Sequence, residues 1–452
     1  RGSRAASLEL RGLRAALLFH AGQSRDAVNA ADEVLTSPEA SDMARAWAAA
    51  AAACAWARMG ACDRTRHAAI AGADAVRRAP EASVLEGALA WGDLMGELLS
   101  GRLAEAAEKA FLCQQRFGQA LPSSASAIGA VGMGAVALSR GDLTNASAWF
   151  REVMAAPATH DAAAWKWLGH IYATQALGMA GDAEGARRAM EASAHAHHPS
   201  LIVYQADDLL AQAWAAAAEG VLSQACDHVR AAAALAESQG TAAVEVHAWH
   251  TLIRMGGTTE AVEALPHLSA LAGDVDGPMA LIAVRHARAA SEQDGQSLEG
   301  VAADFEAMGA DLLAADAFAH AAAAHRQAGR KSHAIASARR ARALAERCGS
   351  ARTPAVGAVQ APLPISDRER EVVHLALSGM SNRQIAQRLV VSVRTVESHL
   401  YQASAKLGVA GRDGLIEVLR PTGAAMERQH RGPEMSGVHG PPNNADASTS
   451  GP

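Results

Sequence analysis

Leu363 to Leu419, LPISDREREVVHLALSGMSNRQIAQRLVVSVRTVESHLYQASAKLGVAGRDGLIEVL, decides how the chain is read, because helix starts, turns and charge in it all serve one arrangement. Three serines mark helix starts. Ser366 is followed three residues on by Glu369 and Ser381 by Gln384, and Ser392 opens the longest helix. The first two are capping-box patterns, in which the serine oxygen and the returning side chain satisfy unpaired first-turn amides. Val372, Val373, Leu375, Ala376 and Leu377 give a first helix its buried stripe and Gly379 ends it. Ile385, Ala386 and Leu389 serve a second; Val396, His399, Leu400, Ala403 and Leu407 a third; Leu415, Ile416, Val418 and Leu419 a short fourth. Each stripe is too narrow to be stable alone, so the helices must share a core.

The link Val390-Val391-Ser392 leaves room only for a sharp corner. That geometry lets one helix brace a nucleic-acid backbone while the next enters the major groove, so the stretch reads as a DNA-binding helix-turn-helix. Charge agrees. Between Ser381 and Arg412 the basic residues Arg383, Arg388, Arg394, Lys406 and Arg412 face one acid, Glu397, for a net +4, whereas Leu363 to Arg420 as a whole carries +2. Positive charge thus gathers where phosphates would lie.

In order and spacing, LPISDREREVV, SGMSNRQIAQRLVVSVRTVESHL and KLGVAGR resemble the C-terminal LuxR-type helix-turn-helix, over about an eighth of the chain. The promoter-reading fourth region of sigma factors shares the T-V-x-S run, but KLGVAGR and the helix after it favour LuxR. The resemblance implies base or groove contacts from Glu397, Ser398 and Tyr401, and backbone contacts from Arg394, Thr395 and Lys406; the charge reading adds Arg383 and Arg412 as phosphate partners. Glu397 stands where several relatives carry Lys, and Ala403 replaces a commoner large aliphatic.

Over the whole chain, half of the 452 residues are apolar but only 4% are aromatic. Alanine fills the difference, which favours close-packed helices over sheets. A net charge of −6 argues against coating nucleic acid along the whole length, so the basic function is local. Cys54, Cys62, Cys113, Cys226 and Cys348 are scattered and odd in number, which indicates neither a disulfide framework nor a cysteine zinc site and fits a reducing cytoplasm. Apolar runs are alanine-rich and broken by charge, so no membrane span is expected. The chain begins at Arg1 rather than Met, which reads as a fragment of a longer protein.

From Arg1 to Gly349 a glycine followed five residues later by alanine recurs: Gly22, Gly60, Gly101, Gly141, Gly181, Gly220 and Gly256 stand 38, 41, 40, 40, 39 and 36 residues apart, with Thr65 in the alanine place after Gly60. The next mark, Gly329, lies 73 residues on, about two periods, so one repeat has lost its glycine. The pattern predicts stacked helical hairpins, with glycine ending each first helix, residues such as Asp142 and Asp182 capping the second, and alanine letting the backbones approach. Trp165, Leu168, Gly169 and Tyr172 match the start of a tetratricopeptide (TPR) motif, but the turn comes five residues late. The longer form resembles the helical region of the large ATP-binding LuxR regulators, as do Gly309 to Ala317 and the exit segment ARALAERCGSARTP.

The expected fold is therefore all-α: a TPR-like helical-hairpin solenoid over 1–349, a linker over 350–364, a four-helix LuxR-type unit over 365–420 and a disordered tail over 421–452. No G-x-x-x-x-G-K-[ST], G-x-S-x-G or H-E-x-x-H occurs, so no enzyme activity is expected of this chain, although the resemblance implies an ATPase domain upstream of such a fragment. Gly132-x-Gly134 reads as a tight helix contact rather than a dinucleotide loop. His195, His197, His198, His247 and His250 read as solvated, the tryptophans as core, and neither cofactor nor metal is expected. The function expected is a cytoplasmic, sequence-specific transcriptional regulator. Its expected partners are double-stranded DNA, a second copy on DNA, and RNA polymerase or an inducer, with the repeats as sensor or protein-docking region. The rival is a protein-binding scaffold with a vestigial DNA unit.

Overall fold

The computed structural model describes residues 2–117, 124–155, 165–197, 199–359, 365, 367–377 and 379–419. Among them no strand occurs. Nine antiparallel helix pairs come first: α1 (Gly2–His20) with α2 (Ser24–Leu35), α3 (Asp42–Met59) with α4 (Cys62–Arg78), α5 (Glu86–Ser100) with α6 (Leu103–Phe117), α7 (Ser124–Arg140) with α8 (Leu143–Ala155), and α9 (Trp165–Ala180) with α10 (Ala183–Ala196). They continue as α11 (Gln205–Ala218) with α12 (Leu222–Ser238), α13 (Ala242–Gly256) with α14 (Thr258–Leu271), α15 (Pro278–Ser291) with α16 (Gly295–Met308), and α17 (Asp311–Gln327) with α18 (Lys331–Arg347).

The expected register recurs at the turns. Gly101, Gly141, Gly181 and Gly220 all hold left-handed φ, between 76° and 86°. In the seventh hairpin the left-handed residue is Gly257 and not Gly256, which is the last helical residue of α13. The repeat without a glycine turns at Gln293, φ 55°, and Asp294 then caps α16 by accepting from the Gln296 and Ser297 amides. Ala27, Ala106, Ala146, Ala186, Ala225 and Ala261 are fully buried, since each lies where two backbones meet.

The coil of hairpins closes upon itself. A Cβ on Gly141 would stand 2.7 Å from Leu312 Cβ and 2.8 Å from Leu312 N, so the fourth turn abuts the start of α17. The turn at Gly220 meets nothing within 4 Å. Polar staples cross the same interior. Arg58 Nη2 donates to Asp207 Oδ2 at 2.7 Å, and Arg254 Nε to Asp316 Oδ2 at 2.6 Å, with the Thr353 hydroxyl on the other Asp316 oxygen.

Two expectations change here. His247 and His250 do not face solvent. His247 Nε2 meets the Leu99 carbonyl at 3.1 Å, and His250, 2% exposed, starts a chain to His286 and His320 with both nitrogen pairs 3.0 Å apart. Their shared helical face points inward because the coil curves around it; His195 and His197 are exposed, as expected, while His198 lies outside the described residues. The segment after Gly349 is no free linker either. Ala351 and Thr353 are 1% exposed, Arg352 N donates to Met179 O at 2.8 Å, and α19 (Pro354–Val359) packs on α17. Its small apolar residues, poor in charge, are what a buried strap needs. Residues 360–364 and the expected tail, 421–452, lie outside the described residues.

All five cysteines are buried and unpaired. Burial pushes the thiols of Cys54 and Cys348 up to about 12, so they are poor nucleophiles and poor disulfide formers. Among the described residues no helix is long and apolar enough to cross a membrane. Gly134 lies inside α7, where a Cβ would meet the Phe150 ring, as a tight helix contact requires.

Candidate nucleic-acid interface

The last four helices, α20 (Asp367–Leu377), α21 (Asn382–Leu389), α22 (Val393–Leu407) and α23 (Gly411–Leu419), enclose their own core of Val372, Ile385, Val396, Ala403, Leu407 and Leu415, each no more than 1% exposed. Caps fix the two middle helices. Ser381 and Gln384 form a complete capping box, and Ser392 Oγ accepts from the Thr395 amide at 3.1 Å. Each cap is worth about 1 kcal/mol. The expected box at Ser366 lies outside the described residues.

Between these helices the chain turns at Val390, φ 56° and 90% exposed. A β-branched residue rarely adopts this conformation. It swings α22 across α21 and leaves the outer face of the first half of α22 uncovered, while Val396 and Leu400 stay in the core. Arg394, Glu397, Ser398 and Tyr401 recur at helical spacing and are all exposed, Tyr401 by 76%; Arg383 and Arg388 are exposed on α21. This half-helix, with basic residues beside it and polar and aromatic side chains along it, has the form of a major-groove reader. Thr395 is partly buried and its hydroxyl lies 2.8 Å from Ser392 Oγ, so it completes the cap.

Two residues expected on phosphate serve the scaffold. Lys406 Nζ lies 2.9 and 2.8 Å from the two oxygens of Glu369, whose side chain is 3% exposed, and so clamps α22 to α20. Arg412 donates to Asn382 Oδ1 at 2.8 Å and to the carbonyls of Ala376 and Met380, tying the end of α20 and the start of α21 to α23. A buried carboxylate and the carbonyls at the end of α20 and before α21 draw these cations inward. Sequence spacing hides both pairings, since the partners lie 30 to 37 residues away.

The unit rests on the coil through α22 and α23, which touch α18. Ile335 packs on the small core, and a Cβ on Gly408 would stand 2.5 Å from Lys331 Cβ. Tyr401 and its neighbours stay exposed in this docked arrangement. Within the coil, a cavity of about 150 Å³ lies among Met95, Met179, Trp214, Met279, Asp207 and Arg254. No sequence signal marked it, because its walls come from seven hairpins.

Residues 363–419 match the family described as bacterial regulatory proteins, luxR family. Over 53 residues, 12% of this chain, it is 49% identical to an HTH-type transcriptional regulator of Mycobacterium bovis and 42% identical to the oxygen regulatory protein NreC of Staphylococcus aureus. The chain spans only 6% and 24% of those two relatives. A solved structure titled as a Rap protein complexed with competence and sporulation factor is similar over 76% of this chain and 99% of its own, at 13% identity and TM-score 0.53. The C-terminal unit is a LuxR-family helix-turn-helix domain, and the part before it shares the helical-repeat fold of that Rap protein.

Proposed function

We propose that the chain is a sequence-specific transcriptional regulator made of a repeat coil over residues 1–359 and a DNA-binding unit over 365–419. The observation that carries this reading is the uncovered outer face of the first half of α22. Arg394, with Arg383 and Arg388 on the neighbouring helix, meets phosphates, while Glu397, Ser398 and Tyr401 face base edges. Lys406 and Arg412 hold the helices that present this face. One unit touches few base pairs, so two copies bind half-sites about 10 bp apart. The coil acts as the sensing or docking part, and its central cavity is the place for a small inducer. No catalytic step is assigned to this chain, whose sequence has no phosphate-cradling loop.

Selection from random duplexes at two salt concentrations tests the reading. Arg394→Ala should weaken binding to all sequences alike and lower the log-log salt slope by about one. Ser398→Ala or Tyr401→Ala should instead change the preferred sequence, by about 1 to 3 kcal/mol per lost base contact. No enriched sequence together with no salt dependence would leave a protein-binding scaffold as the better account.

A further inference from the structure

Three donor side chains converge at the end of the coil where the DNA-binding unit rests. Glu299 lies in α16, His325 in the last turn of α17 and His333 in the first turn of α18, and one donor atom from each falls within 4.8 Å of the others. His325 is 1% exposed, Glu299 half-buried and His333 exposed. His325 Nε2 stands 3.1 Å from Glu299 Oε1, to which Ser337 Oγ also donates at 2.6 Å. The two imidazoles lie 5.1 Å apart between centroids. A Cβ on Gly295 would come within 2.5 Å of the His325 ring, so the imidazole is seated in a space that only glycine leaves.

We propose that Glu299, His325 and His333 bind one divalent transition-metal ion of the zinc class, which pins the first turn of α18 to the two helices before it. Two imidazole nitrogens and one carboxylate oxygen suit such an ion, whereas calcium and magnesium favour shells of oxygen. Tetrahedral donors on bonds of about 2.0 to 2.2 Å stand roughly 3.4 Å apart, a spacing the His325–Glu299 pair at 3.1 Å already nearly meets, whereas the set as a whole is held only within 4.8 Å. Rotation of Glu299 and His333, both reached by solvent, supplies the difference, and water fills the fourth position. Arg326, Arg330 and Lys331 crowd the same turn, so the ion is held by ligand bonds and not by a general negative field. That also disfavours a hard cation. A neutral His325 that gives its hydrogen to Glu299 must carry it on Nδ1 once Nε2 is a ligand, with no net proton change; a charged one releases a proton to solvent. Ser337 remains as an outer partner orienting the carboxylate.

The position gives the ion a consequence. His333 stands between Lys331, which lies against Gly408, and Ile335, which packs on the small unit's core.

Calorimetric titration of the reduced, chelator-treated full chain with Zn²⁺, and absorption spectra with Co²⁺, test it. One equivalent should bind, with cobalt bands of a nitrogen and oxygen site. His333→Ala and Glu299→Gln should each weaken binding at least tenfold, and His195→Ala, an exposed control far along the chain, should not. Zinc should slow hydrogen exchange of amides 331–335 in the parent chain and in neither variant. Since His333 is exposed, its replacement leaves the core untouched. Equal affinity in parent and variants, a thiolate band with cobalt, or exchange at 331–335 indifferent to zinc would overturn the proposal.

Discussion

The repeat coil and the helix-turn-helix unit are both all-helical, yet they are held together over different distances. In the small unit the internal partners lie within about fifty residues of one another, and caps, corner and core read directly along the chain. In the coil, decisive contacts join Arg58 to Asp207 and Gly141 to Leu312, across more than a hundred residues. A local signal therefore specifies what each hairpin is, while the superhelix decides what each residue is for. Gly141 and Gly220 look alike in sequence and have nearly the same φ, and only one of them is pressed against the next coil.

The strongest way to break this contrast is to remove a staple. Asp316 is fully buried and Arg254 5% exposed, so Asp316→Ala strands a buried guanidinium. The cost should be about 3 to 5 kcal/mol, seen in denaturant unfolding of the coil. Hydrogen exchange within 381–407 should hardly change. Parallel loss in both regions would mean that they fold as one unit.

Acid should separate the two regions as well. Burial holds His250 and His286 well below the usual imidazole range, helped for His250 by His286, Arg254, His247 and His320, and for His286 by His320 and Arg254. His320 is lowered by burial too, against the pull of Asp316. In each the folded state binds fewer protons than the unfolded chain, so stability is complete above about pH 6.5 and falls as pH drops below it. The loss approaches about 1.4 kcal/mol per pH unit for each histidine that stays neutral. Melting of the coil between pH 7 and pH 5 measures it, and a flat profile would show that the histidine chain is protonated when folded.

Much of the molecule was legible beforehand for a physical reason: helical turns and caps are encoded within five residues. Gly101, Gly141, Gly181 and Gly220 mark their turns, and the missing repeat does occur, at Gln293. The roles of Lys406 and Arg412 were not legible, because a count of positive charge cannot tell a cation that faces solvent from one drawn to Glu369 or to helix-end carbonyls. The inward histidines left a trace that spacing could have caught. His250, His286 and His320 lie 36 and 34 residues apart, close to the repeat's own period. Glu299, His325 and His333 left none, since they share neither a helix nor a register.

Alanine at the two turn glycines sharpens the contrast within the coil. Gly220→Ala should cost about 1 kcal/mol, the penalty of left-handed backbone alone. Gly141→Ala adds a clash with the Leu312 backbone and should cost about 1 to 3 kcal/mol more. Equal costs would remove the case for coil-to-coil contact as the reason for glycine at Gly141.

The smallest effect expected runs the other way and belongs to the small unit. Val390 pays for the corner with a left-handed backbone, which costs an L-residue about 1 to 2 kcal/mol, and at 90% exposure its side chain recovers little by packing. Glycine would relieve that strain but gives the unfolded chain about 0.5 to 1 kcal/mol of extra freedom. Val390→Gly should therefore stabilise the unit slightly, by less than about 1.5 kcal/mol, with slower exchange at amides 382–389 and 393–407. The capping serines on either side, Ser381 and Ser392, keep their partners, so the corner itself should not move. Faster exchange in this variant would mean that valine stiffens the corner more than it strains it, and that the angle between α21 and α22 depends on the restricted backbone of that one residue.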